Sequence, residues 1–224
     1  MYYEINEQVA NEVQAATATD EGLRERVRCL VMHALVERKT DPGAVKDVLR
    51  SAIAGIDGGL AQRGVQAGDA VREAVMGMDE AVARSVYALR MALEEAWEQG
   101  REFADTDAKE AMSSIQDLEE DLLSTLKNAA DDSRSWVRGE LGDLALHLKR
   151  TGTDTGMQVR DVAQRLNNRL AGAARGSGAD AKAAVGTTRT RLNEVASGIL
   201  RGLADALDAR ASQSDANPAQ VKDL

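Results

Sequence analysis

The chain has 224 residues, a net charge of −9 and 3% aromatic residues, with a single Phe. An acidic chain lacks the basic footprint that a nucleic-acid backbone requires, and so few aromatic side chains leave little material for a large globular core. The lone cysteine, Cys29, excludes an intramolecular disulfide, and charges interrupt every apolar run well before the roughly 18 residues of a membrane-spanning helix.

Residues 1–41 are predicted to form two short helices. The first carries apolar residues at helical spacing, namely Ile5, Val9, Val13 and Ala16. The second begins after Thr19 or Asp20, either of which can cap a helix, and ends near Lys39. Its apolar face consists of Leu23, Val27, Leu30, Ala34 and Leu35. We expect this region to fold back on the following segment as a helical hairpin.

A third helix is predicted to begin at Pro42. Thr40 and Asp41 offer acceptor side chains for a helix N-terminus, and proline suits the first helical turn, where its missing N–H costs nothing. No further proline occurs before Pro218. The long segment between these prolines therefore has no residue that must break a helix.

From Ile53 to Leu207 the sequence carries an eleven-residue repeat. One position is apolar in all 14 of its occurrences, which a random chain of this composition would show with a probability of roughly one in ten thousand. A repeat of about 3.67 residues per turn gives an amphipathic helix whose apolar stripe runs almost straight. This apolar column consists of Leu60, Val71, Val82, Leu93, Ala104, Ile115, Leu126, Val137, Leu148, Val159, Leu170, Ala181, Leu192 and Leu203.

The stripe is strongly apolar only along this central column. Its outer columns mix apolar residues with glycine and polar residues, for example Val75, Met78, Val86, Leu122, Glu119, Ser133, Gly152 and Thr155. Seventeen of the 19 glycines follow Ile53, and each costs about 0.8–1 kcal/mol relative to alanine inside a helix. We therefore expect the helix to need a surface or a partner in order to form fully.

The predicted fold class is all-α, elongated, with one or more long amphipathic helices. Three places could interrupt the repeat: residues 105–107, where Glu110 completes a capping box, residues 151–156 and residues 172–178. Because the apolar column crosses all three without insertion or deletion, we expect a continuous or gently hinged helix, and a bundle remains the alternative.

Three regions are predicted along the chain. Short helices occupy residues 1–41, the repeat region spans residues 42–211, and residues 212–224 lose the pattern and are predicted to be a disordered tail.

Basic residues follow one edge of the predicted stripe. This basic boundary column consists of Arg72, Lys127, Arg138, Lys149, Arg160 and Lys182, and an acidic column on the other side consists of Glu110, Asp121, Asp132, Asp143 and Asp154. Cations beside an apolar stripe suit a helix that lies on an anionic lipid surface. The same sorting suits a solvated face with ion pairs between neighbouring helices.

Pairs of glycines four residues apart occur at Gly55 and Gly59, Gly64 and Gly68, Gly152 and Gly156, Gly172 and Gly176, and Gly198 and Gly202. Such spacing lets two helices approach closely. With glycine this common, coincidence is the alternative explanation.

No residue cluster indicates a reaction. Cys29 and His33 are four residues apart, which could offer two metal ligands, but two ligands do not make a site. The sequence has no phosphate-binding glycine loop, nucleophile elbow or zinc pattern. We predict that the protein is not an enzyme and has no catalytic residue, metal or cofactor.

The amphipathic pattern, with Gly, Ala and Thr diluting its apolar face, is similar to that of exchangeable apolipoproteins, perilipins, synucleins, late-embryogenesis proteins and bacterial phasins. The phasin resemblance implies a helical coat on a storage granule. Proline normally punctuates apolipoprotein repeats, so its absence here does not support their hinged-belt geometry. Residues 41–48, 60–82 and 197–207 more closely resemble an uncharacterised bacterial family, which implies no activity.

These features predict a surface-coating protein whose repeat helix adsorbs reversibly to a membrane, lipid or storage-granule surface. The alternative is a self-associating structural protein that forms right-handed coiled-coil bundles or filaments, with further copies of the chain as its partner. Residues 1–10 lack the basic start and apolar core of a signal peptide, which predicts a cytoplasmic location. The surface-coating hypothesis adds a peripheral association with a membrane or granule.

Overall fold

The computed structural model describes residues 2–18, 22–37, 42–60, 68–98, 105–133 and 135–176. These residues form seven α-helices and no strand, which confirms the predicted all-α class. The helices are α1 (Tyr2–Thr17), α2 (Leu23–Glu37), α3 (Pro42–Leu60), α4 (Gly68–Glu98), α5 (Asp105–Asp132), α6 (Ser135–Thr151) and α7 (Asp154–Gly176).

The first three helices begin and end close to where the sequence predicts. Helix α2 ends at Glu37, two residues before Lys39, and α3 begins at Pro42. Apart from Ile5, whose side chain lies outside the described part, the predicted apolar faces of α1 and α2 are buried except for the half-buried Leu30. The buried residues are Val9, Val13, Ala16, Leu23, Val27, Ala34 and Leu35. Propensity, caps and spacing therefore suffice to locate these elements.

Helices α3 and α4 lie at the centre of a bundle. Helix α1 packs along α3 and α2 along α4, so the N-terminal helices fold back on the segment that follows them. On the other side, α5 contacts α3, α6 and α7, while α4 contacts α6 and α7. All seven helices contribute side chains to a single hydrophobic core that extends from Val9 to Val162.

Two glycines of one predicted pair allow α1 and α3 to approach closely. A β-carbon on Gly55 would overlap the carbonyl oxygen of Ala10, and one on Gly59 would lie 2.7 Å from the carbonyl oxygen of Gln14. Gly77 plays the same role between α4 and α2, because a β-carbon there would overlap the carbonyl oxygen of Arg24. Close packing is therefore the correct interpretation of the pair at Gly55 and Gly59.

The expectation of a continuous helix through the repeat is wrong. Helix α5 ends at Asp132, α6 ends at Thr151, and α7 begins at Asp154 and packs against α4 and α5. Two of the three suspected interruptions coincide with helix starts, at Asp105 and Asp154. Helix α7 ends at Gly176, within the third suspected interruption, and residues 177–178 lie outside the described part. The break after Asp132 was not expected from the sequence.

The unbroken repeat did not indicate an unbroken helix. Every helix of the bundle has to turn its apolar column toward the core, whichever neighbouring helix covers it. Residues of the outer columns mark the breaks: Ser133 follows the end of α5, and Gly152 adopts φ +90 at the end of α6. A positive φ strongly favours glycine. The dilution of the stripe at these points therefore encodes turns between helices.

Candidate functional site

The predicted apolar column faces the core of the bundle wherever its side chains are described. Leu60, Val71, Val82, Leu126, Val137 and Val159 are buried, and the partly buried Leu148 packs against them. Leu93, Ile115 and Leu170 belong to α4, α5 and α7, but their side chains lie outside the described part. Ala104, Ala181, Leu192 and Leu203 also lie outside the described residues.

The basic boundary column lies on the outside of the bundle. Arg72, Lys127, Arg138, Lys149 and Arg160 are all exposed, while Lys182 lies outside the described residues. The Arg138 guanidinium donates hydrogen bonds to the carbonyl oxygens of Asp131, at 3.0 Å, and Ser133, at 3.2 Å. It therefore satisfies carbonyl groups at the end of α5, where a helix lacks intrahelical donors.

Ion pairs between helices also occur, as the alternative interpretation of the charge pattern predicts. Lys46 of α3 lies 2.6 Å from the Asp121 carboxylate of α5, and Arg24 and Arg28 of α2 both pair with Glu80 of α4. Asp121 belongs to the predicted acidic column. Asp121 therefore contributes to packing between helices.

A mostly buried group of residues, linked by polar contacts, joins α4 and α5 to the start of α7. We call it the polar junction, and it consists of Asp79, Glu119, Thr153, Thr155 and Gly156. The Asp79 side chain, 5% exposed, accepts hydrogen bonds from the backbone N–H groups of Asp154, at 2.8 Å, and Thr155, at 3.0 Å. It also accepts one from the Thr155 hydroxyl at 2.7 Å. Asp79 thus caps a helix to which it does not belong.

Thr153, the residue directly before α7, completes the polar junction. Its hydroxyl oxygen accepts a hydrogen bond from the Gly156 N–H at 2.8 Å, the usual geometry of an N-cap. The same hydroxyl donates to the Glu119 carboxylate of α5 at 3.0 Å. A β-carbon on Gly156 would overlap that carboxylate. Glycine at this position therefore lets α7 start directly against α5.

Burial and hydrogen bonding shift the pKa of Asp79 in opposite directions. Burial raises the pKa of Asp79 above its usual value, and the nearby Asp154 charge adds to the rise. The hydrogen bonds from Thr155 and from the Asp154 backbone act in the opposite direction. Burial prevails, so Asp79 holds its proton to a higher pH in the bundle than in an unfolded chain.

Further along α7, charged side chains bind it to α4. Arg90 lies 3.6 Å from the Asp161 carboxylate, and Arg165 lies 3.5 Å from Glu94. The Arg90 guanidinium also lies 4.7 Å from the centre of the Tyr87 ring, within the range of a cation–π contact.

Sequence reasoning missed the polar junction, although it left a signal. Asp79, Arg90 and Gly156 occupy the same position of the eleven-residue repeat, beside the apolar column. The repeat alone suggests a boundary with solvent there. In the bundle this position on α4 faces α7, because the helices pack over a wider arc than the stripe.

A cleft of about 600 Å³ opens beside the junction, between α4 and α6. Titratable side chains line it, namely Arg72, Asp79, Glu140, Asp143, His147, Arg150 and Asp154. Among the described residues no three His, Cys, Asp or Glu side chains converge as metal ligands, and Cys29 and His33 lie half-buried on α2. Nothing in this lining favours one ligand chemistry.

The fold and the junction define an all-α bundle protein, and no described helix is long and apolar enough to cross a bilayer. The chain belongs to a family of unknown function, DUF6781, which it matches over residues 4–209. Membership of an uncharacterised family agrees with the resemblance of its repeat segments. No curated protein and no solved structure matches the chain.

Proposed function

We propose that the protein is a non-enzymatic, cytoplasmic surface-coating protein. Its amphipathic helices adsorb reversibly to an anionic membrane, lipid or storage-granule surface. In this proposal the bundle is the form in solution, and its helices turn their apolar faces from the core to the surface. The resemblance to phasins and apolipoproteins belongs to the same proposal.

One arrangement of residues carries the proposal. Buried members of the apolar column are followed directly by exposed cations, as in Val71 and Arg72, Val137 and Arg138, and Val159 and Arg160. If such a helix lies flat on a surface, the apolar side chain enters the lipid and the cation beside it reaches the headgroups. The bundle therefore preserves the side-chain order that an interfacial helix needs.

The side chains of the apolar column can exchange contacts with other helices for contacts with lipid at little cost in free energy. A Leu or Val side chain gains about 1.5–3 kcal/mol from burial, whether lipid or a neighbouring helix covers it. Leu126, which is fully buried, would thus lose little by moving from the core to a lipid surface. The headgroup attraction of the exposed cations supplies a bias toward the surface.

The test is adsorption to vesicles that contain equal parts of phosphatidylglycerol and phosphatidylcholine. Replacing Arg72, Lys127, Lys149 and Arg160 together with glutamine should weaken adsorption by about 4 kcal/mol, close to a thousandfold, because each cation contributes about 1 kcal/mol. Added salt should reduce this difference. Arg138 is kept, because its hydrogen bonds hold the end of α5.

A matched pair on α6 controls for net charge. Lys149 belongs to the basic boundary column and its exposed neighbour Arg150 does not, so Lys149→Gln should weaken adsorption more than Arg150→Gln. An altered oligomeric state with unchanged adsorption in the four-residue variant would contradict the proposal and favour the self-associating filament.

A further inference from the structure

Polar side chains of other helices hold α7 at its start and along its length. Of its described apolar side chains, Val159 and Val162 are buried in the core, whereas Met157 is 56% exposed. The other contacts described above are polar: the Asp79 cap at its start, and the pairs of Asp161 with Arg90 and Arg165 with Glu94. These polar contacts can exchange with water at a lower cost than apolar burial.

The connection between α6 and α7 contains a glycine about which α7 can rotate. Gly152 and Thr153 form a two-residue connection from α6, and Gly152 has φ +90. Glycine can move between positive and negative φ without the steric cost that other residues carry. A rotation at this point would move α7 as one body and leave α6 in place.

The side of α4 that contacts α7 through Asp79 and Arg90 also carries apolar residues. Val82 and Val86 follow Asp79 by three and seven residues, so they share its side of the helix. Both are fully or almost fully buried, and Ala83 between them is 7% exposed. Release of α7 would uncover this side of α4, because α7 packs directly against α4.

We propose that α7 is a strap latched by Asp79, and that its release, about the connection at Gly152 and Thr153, exposes the α4 face that first contacts lipid. The release of α7 is an inference of its own, and its link to lipid rests on the proposed function. The remaining helices stay packed during this step, because α1 to α6 share the larger part of the core.

The first experiment uses the full chain without lipid. Hydrogen–deuterium exchange in Asp79→Ala should be about tenfold faster than wild type in α7, since the variant loses the cap, with α2 and α3 unchanged. Thr155→Ser keeps the hydroxyl that Asp79 accepts from and serves as the matched control, with little change expected. Equal acceleration in all helices of the Asp79→Ala variant would overturn the strap, because α7 would then not open separately.

The second experiment locks the strap. Asp79→Cys and Thr155→Cys are combined with Cys29→Ser, which removes the native thiol, and a disulfide is formed between two side chains that touch in the bundle. Circular dichroism and exchange in α1 to α3 check that the variant is folded. Oxidation should reduce adsorption to the same anionic vesicles at least tenfold, and a reductant should restore it.

The outcomes separate the two proposals. Equal adsorption of the oxidised and reduced forms would overturn α7 as the gate while leaving the surface-coating function intact. If the wild-type chain does not adsorb at all, the surface-coating function and the link to lipid both fall. The exchange experiment then still decides whether α7 opens first.

Discussion

Asp79 places a carboxylate on the buried side of α4, where burial disfavours its charged form and the start of α7 supplies three hydrogen bonds to it. The net result is a raised pKa. The stability that protonated Asp79 contributes is fully present below the pKa of aspartate in the unfolded chain, about 3.9. It is lost as the pH rises through the pKa of Asp79 in the folded bundle. The ionised cap therefore stabilises the bundle less than the protonated one.

This sign gives a prediction for Asp79→Asn, which cannot titrate. The difference in unfolding free energy, wild type minus variant, should become smaller between about pH 4 and about pH 7. Urea unfolding of both proteins at several pH values measures it. The titratable groups around the same cleft, Arg72, Glu140, Asp143, His147, Arg150 and Asp154, remain in both proteins and cancel to first order. A difference that grows with pH would mean that hydrogen bonding outweighs burial.

Glycine shows how one residue type serves unrelated purposes in this chain. At Gly55 and Gly77 the missing β-carbon lets helix backbones touch, and at Gly152 the backbone adopts φ +90. At Gly139 and Gly142 nothing lies within 4 Å of the position a β-carbon would take. The sequence shows the glycines but not which of these purposes each serves, since that depends on the neighbouring helix.

At the scale of elements, local signals located some helix starts and missed others. Helix α3 begins at Pro42 as predicted, and α5 begins at Asp105, two residues before the predicted cap at Asp107. The break after Asp132 has no proline or glycine beside it, and Arg138 donates a hydrogen bond back to the carbonyl oxygen of Asp131. Such a contact exists only after the chain has turned, so the sequence alone does not reveal it.

The polar junction was beyond sequence reasoning for a related reason. Asp79 and Thr155 are 76 residues apart, and no periodicity links a capping side chain to a helix start so distant. The apolar column, by contrast, was predictable because every helix presents it to the core regardless of partner. The sequence therefore identified the buried faces and left their pairing open.

The start of α7 offers a prediction at this scale. Thr153→Ala should lower the free energy of unfolding by about 1 kcal/mol, because the Gly156 N–H loses its acceptor and Glu119 loses a donor. Thr151→Ala is the control: Thr151 is exposed and its hydroxyl bonds to the His147 carbonyl within its own helix. Chemical denaturation measures both variants. Similar losses in the two would show that Thr153 is not a structural cap.

For the whole molecule, the burial of the apolar column does not decide whether its side chains contact other helices or lipid when a lipid surface is present. An apolar column satisfied inside the bundle is equally able to face lipid, since the hydrophobic effect is not directional. Adsorption and bundle formation therefore compete for the same side chains. Any change that weakens only the bundle should shift the protein toward the surface, as linked equilibria require.

Gly55→Ala is such a change. Its β-carbon would overlap the carbonyl oxygen of Ala10 and force α1 and α3 apart, which should cost the bundle about 1–3 kcal/mol. An adsorbed α3 has no such neighbour and gains about 1 kcal/mol in helix propensity. Urea unfolding should thus show a less stable bundle, and sedimentation with anionic vesicles should show tighter adsorption. Gly139→Ala, which meets open space, favours the helix in both states and should leave adsorption unchanged. If adsorption of Gly55→Ala weakens together with its stability, the closed bundle is itself the adsorbing form, and its apolar column does not leave the core.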